Sequence, residues 1–232
     1  LLQSTASLIR TAIGYLNVYL AQKDYAAAQA VLEWSTGVFS GLKNADAPCF
    51  LDKVNSTFLA QFLGGMKKYL EENPESKLIF VCGGGAPARV YQQAYRDVVG
   101  DETKDSNIQD WLGIRATHLN GELVKAIFGD FCRDALVMDP TASSIKFEGR
   151  VLVAGGWKPG FSTDTDAVYL ARRFGAKTVI NLSNVAKVYT DDPRKNPEAV
   201  PIDSISWEDF REMVGDQWIP GKNVPFDPIA SK

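Results

Sequence analysis

Three stretches of this 232-residue chain combine glycines, hydroxyls and charges in the way that holding a phosphate requires. The first is Val81-Cys82-Gly83-Gly84-Gly85-Ala86-Pro87-Ala88-Arg89. Glycines let the backbone come close to an anion, and the free N–H groups of a following helix attract it. Arg89 falls near the first turn of that helix and can add a bidentate guanidinium contact. The second stretch runs Ala154-Gly155-Gly156-Trp157-Lys158-Pro159-Gly160-Phe161-Ser162-Thr163-Asp164. Ser162 or Thr163 can serve as a simple N-cap, with Asp164 complementing the helix dipole. Capping does not account for two separate glycine turns with Lys158 between them. In a functional reading Thr163 contacts phosphate, Lys158 supplies charge, and Asp164 orients cationic groups or magnesium, because phosphoryl transfer depends on positioning and neutralisation. The third, Asn181 to Val185 and Tyr189 to Arg194, is either a polar floor for a base and ribose or merely a turn at Asp192-Pro193.

Strands and helices must present these turns. Lys77 to Cys82 is a short apolar run that enters glycines at once, the pattern of a buried parallel strand. Ala135–Met138, Arg150–Ala154 and Thr178–Leu182 read as further strands. Helical periodicity covers a segment from Asn55 or Ser56 to Leu70, then Pro87–Val99, Ile108–Phe128, Thr163–Phe174 and Ser206–Val214. Such alternation predicts an α/β fold, a parallel-rich open sheet sandwiched by helices, over residues 48–232. Residues 1–47 differ in texture. Leu8, Ile9, Ala12, Ile13, Leu16 and Leu20 recur at helical spacing, and a second, Ala-rich run follows Asp24. An N-terminal helical segment is therefore expected, its apolar stripe buried on the body or against a second subunit. A homo-oligomer is the expected assembly.

Composition bounds the partners. A net charge of −3 offers no general attraction to nucleic acid or an anionic membrane, so a phosphate ligand needs locally placed donors. No apolar run approaches the roughly 18 residues of a membrane span. One histidine, His118, rules out a histidine-rich metal site, and no metal-ligating set is assigned. Cys49, Cys82 and Cys132 lack CxxC spacing, which reads as buried thiols in a reducing, cytoplasmic setting.

Taken in order, the motifs resemble the archaeal-type uridylate kinases of the amino acid kinase superfamily. Gly83-Gly84-Gly85-Ala-Pro-Ala-Arg89 and Asp110-Trp-Leu-Gly113-Ile-Arg-Ala-Thr117-His-Leu-Asn120 resemble the acceptor side. Gly155-Gly156-x-x-Pro159-Gly160-x-Ser-Thr163-Asp164 is similar to the Gly-Gly-x-x-Pro-Gly-x-Thr-Thr-Asp signature. Asn184-Val-x-x-Val-Tyr189-Thr-x-Asp192-Pro193-Arg194-Lys195 resembles the ATP segment, and Pro220 to Ala230 the late loop. The resemblance covers roughly residues 52–232. It implies an amino-acid-kinase-like three-layer fold and transfer from ATP, with Mg2+, to UMP. It implies that Gly84, Gly85 and Arg89 hold the acceptor phosphate, that Thr117 and Asn120 line the acceptor site, and that Thr163 touches transferring phosphates. Asp164 would organise the catalytic cations, with Lys158, or Lys222 in the late loop, as the candidate catalytic lysine in place of the family's loop lysine, while Gly155, Gly156, Asn184, Val185, Tyr189 and Asp192 would lie around ATP.

The family opens with a Lys-x-Gly-Gly-Ser-like loop before its first helix. Here that region reads Ser40-Gly-Leu-Lys43-Asn-Ala-Asp-Ala-Pro48-Cys-Phe50, and the chain stops at Lys232 where members continue. Weak turnover with retained acceptor binding is thus expected. The alternatives are a catalytically impaired nucleotide-binding regulator or assembly partner, and a kinase acting on an amino acid or isoprenoid phosphate.

Overall fold

Phe80 sits at the middle of a strand whose neighbours face opposite ways, and this alternation organises the molecule. The computed structural model describes residues 54, 56–100, 105–176, 178–182, 188–193, 195–215 and 226–232, with the backbone of 16–21. In β2 (Lys77–Cys82), Leu78, Phe80 and Cys82 face one hydrophobic layer while Ile79 and Val81 face another. All five are buried, as expected of a strand covered on both sides. The first layer is completed by α1 (Ser56–Glu72), through Phe58, Phe62, Met66 and Leu70, and by Val124 and Phe128 of α3 (Ser106–Phe128). The second is completed by Ala167, Leu170 and Ala171 of α4 (Thr163–Phe174). Helix, sheet and helix make the three expected layers.

The main sheet, among the described residues, has the order β3-β2-β1-β4, with β3 at Val151–Ala154 and β4 at Thr178–Leu182. β2 and β3 are parallel. β1 (Leu16–Ala21) lies between β2 and β4 and is antiparallel to both, Leu16 pairing with Cys82 on one side and Leu182 on the other. This corrects the expectation of helix over Leu16 and Leu20. The run Leu16-Asn-Val-Tyr-Leu-Ala21 contains the strand formers Val18 and Tyr19, and two strands on either side supply ladder partners that local spacing cannot reveal. The remainder of the predicted 1–47 helical segment lies outside the described residues. Ala135–Met138, expected as a strand, contributes a single parallel bridge, Val137 to Ala154.

The other helices match their predicted places: α2 spans Gly85–Val99 and α5 spans Trp207–Val214. A small antiparallel pair, β5 (Val188–Tyr189) and β6 (Pro201–Ile202), stands apart from the main sheet. Val188 joins Phe210, Val214, Phe226 and Ala230 in a third apolar cluster that seats the last described residues. Cys82 and Cys132 are free thiols, each pushed up to about 12, chiefly by burial, and so protonated at neutral pH. No helix among the described residues is long and apolar enough to cross a membrane.

Phe62 is the keystone of the first layer. Its ring centroid lies 5.8 Å from Phe58, 5.2 Å from Phe80 and 6.1 Å from Phe128. Phe62→Ala is expected to cost about 3–5 kcal/mol of unfolding free energy, the range for emptying a buried aromatic site. Urea titration followed by far-ultraviolet circular dichroism checks it.

Candidate functional site

α3 runs close past the ends of both β2 and β3, and the glycines at those ends exist to permit it. A Cβ on Gly155 would lie 2.7 Å from His118 Cδ2 and 2.9 Å from Thr117 Oγ1. A Cβ on Gly84 would lie 3.2 Å from the Gly113 carbonyl oxygen. Side chains of α3 then stitch the turns in place. The Thr117 hydroxyl donates to Ile114 O at 2.6 Å and accepts from Gly156 N at 2.6 Å. His118 Nε2 donates to Gly156 O at 2.7 Å. Burial lowers the His118 pKa, and the nearby Arg115 guanidinium lowers it further, while the Gly156 contact opposes both. Asn120 Nδ2 donates to Gly83 O at 2.8 Å and Gly84 O at 3.2 Å.

A cleft of about 170 Å3 opens beside these contacts. Its lining includes Gly84, Gly85 and Ala88, where α2 begins. Gly85 takes φ +60°, a conformation natural to glycine, and the first amides of the helix have no intrahelical acceptor. Lys158, Phe161 and Thr163 line it from the second glycine turn and the start of α4, and Asp110 and Thr117 from α3. Asp110 Oδ2 accepts from Gly160 N at 3.3 Å, and burial raises its pKa against that hydrogen bond. Positions 110, 113, 114 and 117 fall on one helical face, a spacing signal that points to Asp110 although the motif reading did not single it out.

Beneath Thr163 lies a set of carboxylates. Ser162 caps α4 by accepting from Thr165 N, and Asp164 and Asp166 occupy the first turn. Asp164 Oδ2 accepts from Asp227 N at 3.1 Å, fastening the 226–232 segment to this turn. Asp227 Oδ1 in turn accepts from Ile229 N and Ala230 N. Asp166 is fully buried, and its Oδ2 accepts from Trp157 N at 3.0 Å. Its Oδ1 and Asp227 Oδ2 are buried without a hydrogen-bond partner among the described residues. Burial above all, then the charges of Asp164, Asp139 and Asp227, raises the Asp166 pKa to about 7. No group of three or more His, Cys, Asp or Glu among the described residues is arranged to hold a metal ion.

The cleft thus unites Gly84, Gly85, Thr117, Gly156, Lys158 and Thr163 from the sequence reading. Asn120 stands behind it as a brace. Gly155 is spent on packing, its amide donating to Val137 O, and the Gly156 amide is taken by Thr117. Arg89 is exposed one turn into α2 and makes no ion pair among the described residues. The Lys158 ammonium lies 3.8 Å from the Trp157 ring centroid. Tyr189 and Asp192 belong to the β5–β6 hairpin and do not line the cleft. Asn184, Val185 and Lys222 lie outside the described residues.

The amino acid kinase family model matches residues 59–232. A uridylate kinase of Pyrobaculum neutrophilum is 37% identical over 149 residues, 62% of this chain and 65% of that protein. A uridylate kinase of Pyrobaculum calidifontis is 35% identical over 156 residues, 66% of this chain and 69% of the relative. The crystal structure of a uridylate kinase from Archaeoglobus fulgidus superposes with a TM-score of 0.61 at 27% identity, covering 82% of this chain and 79% of that one. The chain spans about two thirds of the length of the relatives it matches.

Asp166 carries a measurable pH signature. Its folded pKa of about 7 lies above the 3.8 of a free aspartate, so the native state holds a proton that the unfolded state releases. Stability from this group is complete below about 4 and lost progressively as pH rises to about 7. The stability of Asp166→Asn relative to the native chain should rise over that window and level off above it. Thermal or urea unfolding from pH 4 to 8 measures this, and a pH-independent difference would contradict the assignment.

Proposed function

The chain belongs to the amino acid kinase family, and on that footing we propose that it binds UMP as acceptor and ATP as donor and acts as a nucleoside monophosphate kinase. The observation that carries this reading is a cleft lined both by the N-terminus of α2 and by Thr163, with Asp164 on the same turn of α4. Names of relatives support the acceptor: those above are uridylate kinases.

In this reading the acceptor phosphate lies at Gly84 and Gly85, facing the free amides of α2, and Arg89 swings in from its exposed position. Asp110, on the cleft wall, accepts from a sugar hydroxyl. An oxygen of the acceptor phosphate forms the new bond to the γ-phosphorus of ATP, and the bond from that phosphorus to the β,γ-bridging oxygen breaks. The attacking oxygen already carries charge at neutral pH, so no general base is required. Catalysis reduces to alignment and charge neutralisation. Thr163 donates to the transferring group. Asp164, held by the Asp227 amide, orients cationic partners around it. Magnesium would enter with the donor phosphates, since the described side chains near Asp164 form no cage for it. Asn184, Val185, Tyr189 and Asp192 are proposed for the donor nucleotide.

A second reading, a nucleotide-binding relative without transfer, draws on one sequence fact. Ser40 to Phe50 has no counterpart of the lysine- and glycine-containing loop with which the family begins.

A coupled phosphoryl-transfer assay across UMP, CMP, acetylglutamate and isopentenyl phosphate separates these readings and the alternative acceptors. Arg89→Ala should weaken UMP binding by about 1.5–3 kcal/mol in calorimetry, the range for a hydrogen bond to a charged group. Asp164→Asn keeps an acceptor for the Asp227 amide but loses the charge. It should lower turnover by roughly 100-fold or more with little change in UMP affinity, the pattern of an interaction made mainly in the transition state. An Asp164→Asn variant with full turnover would remove Asp164 from the mechanism.

A further inference from the structure

His118 is the single histidine of the chain, and its two ring nitrogens meet neighbours that leave it one protonation state. Nε2 lies 2.7 Å from the Gly156 carbonyl oxygen, which can only accept, so Nε2 carries the proton. Nδ1 lies 3.5 Å from Nη1 of Arg115, a guanidinium that can only donate, so Nδ1 is bare. Arg115 is itself set over the Trp111 ring, 5.4 Å from its centroid. The imidazole is wedged against the preceding glycine, its Cδ2 2.7 Å from where a Cβ on Gly155 would stand. The other ionisable groups on the elements around this junction are Asp110 and Lys158 on the cleft lining and Asp166 at the Trp157 amide. Three successive amides of the turn are held by three different elements: Gly155 N by Val137 O at 2.9 Å, Gly156 N by Thr117 Oγ1 at 2.6 Å, and Trp157 N by Asp166 Oδ2 at 3.0 Å. The Gly156 carbonyl is held by His118.

We propose that His118 is a positioning residue for phosphoryl transfer: by holding the Gly156 carbonyl it keeps that oxygen off the cleft and fixes the turn that leads to Thr163. This role rests on the reading of the cleft as a phosphoryl-transfer site and adds to it a residue that touches no substrate. Gly156 lines the cleft and His118 does not, so the bond between them draws the carbonyl toward α3 and out of the lining. A carbonyl oxygen is the negative end of the peptide dipole. Aimed at a phosphate, it would oppose the charge that transfer gathers there. Glycine has no side chain to stop its peptide from swinging, and one tied only at its amide can pivot about Thr117. Tied at both ends, it cannot. The path from Gly156 to Thr163 starts at that peptide, and a small displacement of reacting groups costs alignment. The acceptor phosphate is assigned to the other glycine turn, at Gly84 and Gly85. Loss of the His118 bond therefore falls on the transferring group more than on acceptor affinity.

Steady-state kinetics with ATP and UMP, and calorimetric titration with UMP, on the full chain in native, His118→Leu and His118→Gln forms, test the role. Gln places an N–H near the reach of Nε2, and Leu fills space without a donor. Circular dichroism confirms that each variant is folded, and His118→Phe, planar and without a donor, replaces Leu where Leu does not fold. The variant without a donor should lose about 10-fold or more in kcat, the scale of one hydrogen bond, with UMP affinity changed by less than about threefold. His118→Gln should stay within about threefold of the native kcat. Full turnover without the donor overturns the role. So does parallel loss of turnover and UMP affinity, or a Gln variant as slow as Leu, since either marks a residue needed only for packing. As the one histidine, His118 also gives a single ring signal in proton NMR, whose titration reads the arrangement without any nucleotide. Its midpoint should lie below the ordinary 6.5, chiefly through burial, and move up in Arg115→Met, which removes a charge that lowers it. A native midpoint at or above 6.5 overturns the arrangement and the role with it. A low midpoint in a native chain that transfers no phosphoryl group overturns the transfer reading instead, and with it this role.

Discussion

The hydroxyl of Thr117, buried between helix and strand, is the contact on which the candidate site depends. It donates inside its own helix to Ile114 and accepts the amide of Gly156, so one oxygen joins α3 to the end of β3. Such a bond forms only if nothing lies between, which is why positions 155 and 156 carry no side chain. From that contact follow the path of the 155–161 turn, the start of α4, and the width of the cleft between α2 and that turn. A buried hydroxyl with both its donor and acceptor used is rigid, since breaking either bond would leave a polar atom dry.

Electrostatics around the cleft sets a problem that burial partly solves. A phosphate bound as proposed would near Asp164, Asp166 and Asp227, three carboxyls behind Thr163, in a chain of net charge −3. In that proposal attraction would come from close range: helix amides at Gly85, the guanidinium of Arg89, the ammonium of Lys158. Burial lightens the opposition by holding Asp166 partly protonated near neutrality. The same carboxyls tie Trp157 and the 226–232 segment to the start of α4, so groups that would repel a ligand also shape the place it enters.

The glycine turns, the helices that follow them and the strands that precede them were legible because each is written locally. An apolar run meets glycine, and a cap or a helical period comes next. Ser162 capping α4 and the start of α2 after Gly84 are of this kind. What was not legible depends on partners distant in sequence. Leu16–Ala21 has a spacing that suits a helix, and only two strands waiting on either side make it β1. The glycines at 155 and 156 look from sequence like a phosphate loop. The structure shows that they clear the way for Thr117 and His118, so their N–H groups are already used. Asp110, Asp166 and Phe161 gain meaning only when three separate segments converge. Each was visible as a residue, but its neighbours were not.

The place of β1 also bears on how the chain assembles. Among the described residues, β4 touches the main sheet only through β1, because the strand order ends β2, β1, β4. Leu16 must therefore meet Leu182 before β4 has a ladder of hydrogen bonds, across most of the chain length. Closing so long a loop costs entropy before any contact repays it, which makes this join a late and slow step. β2 and β3 can pair earlier, closing a shorter loop and enclosing α1 and α3 against one face. Synthesis produces β1 first, yet its two neighbours emerge far apart in time. On the ribosome the part of the cleft lined from α2 and α3 can take shape around β2 and β3, while β4 waits for β1 to come back and bind it.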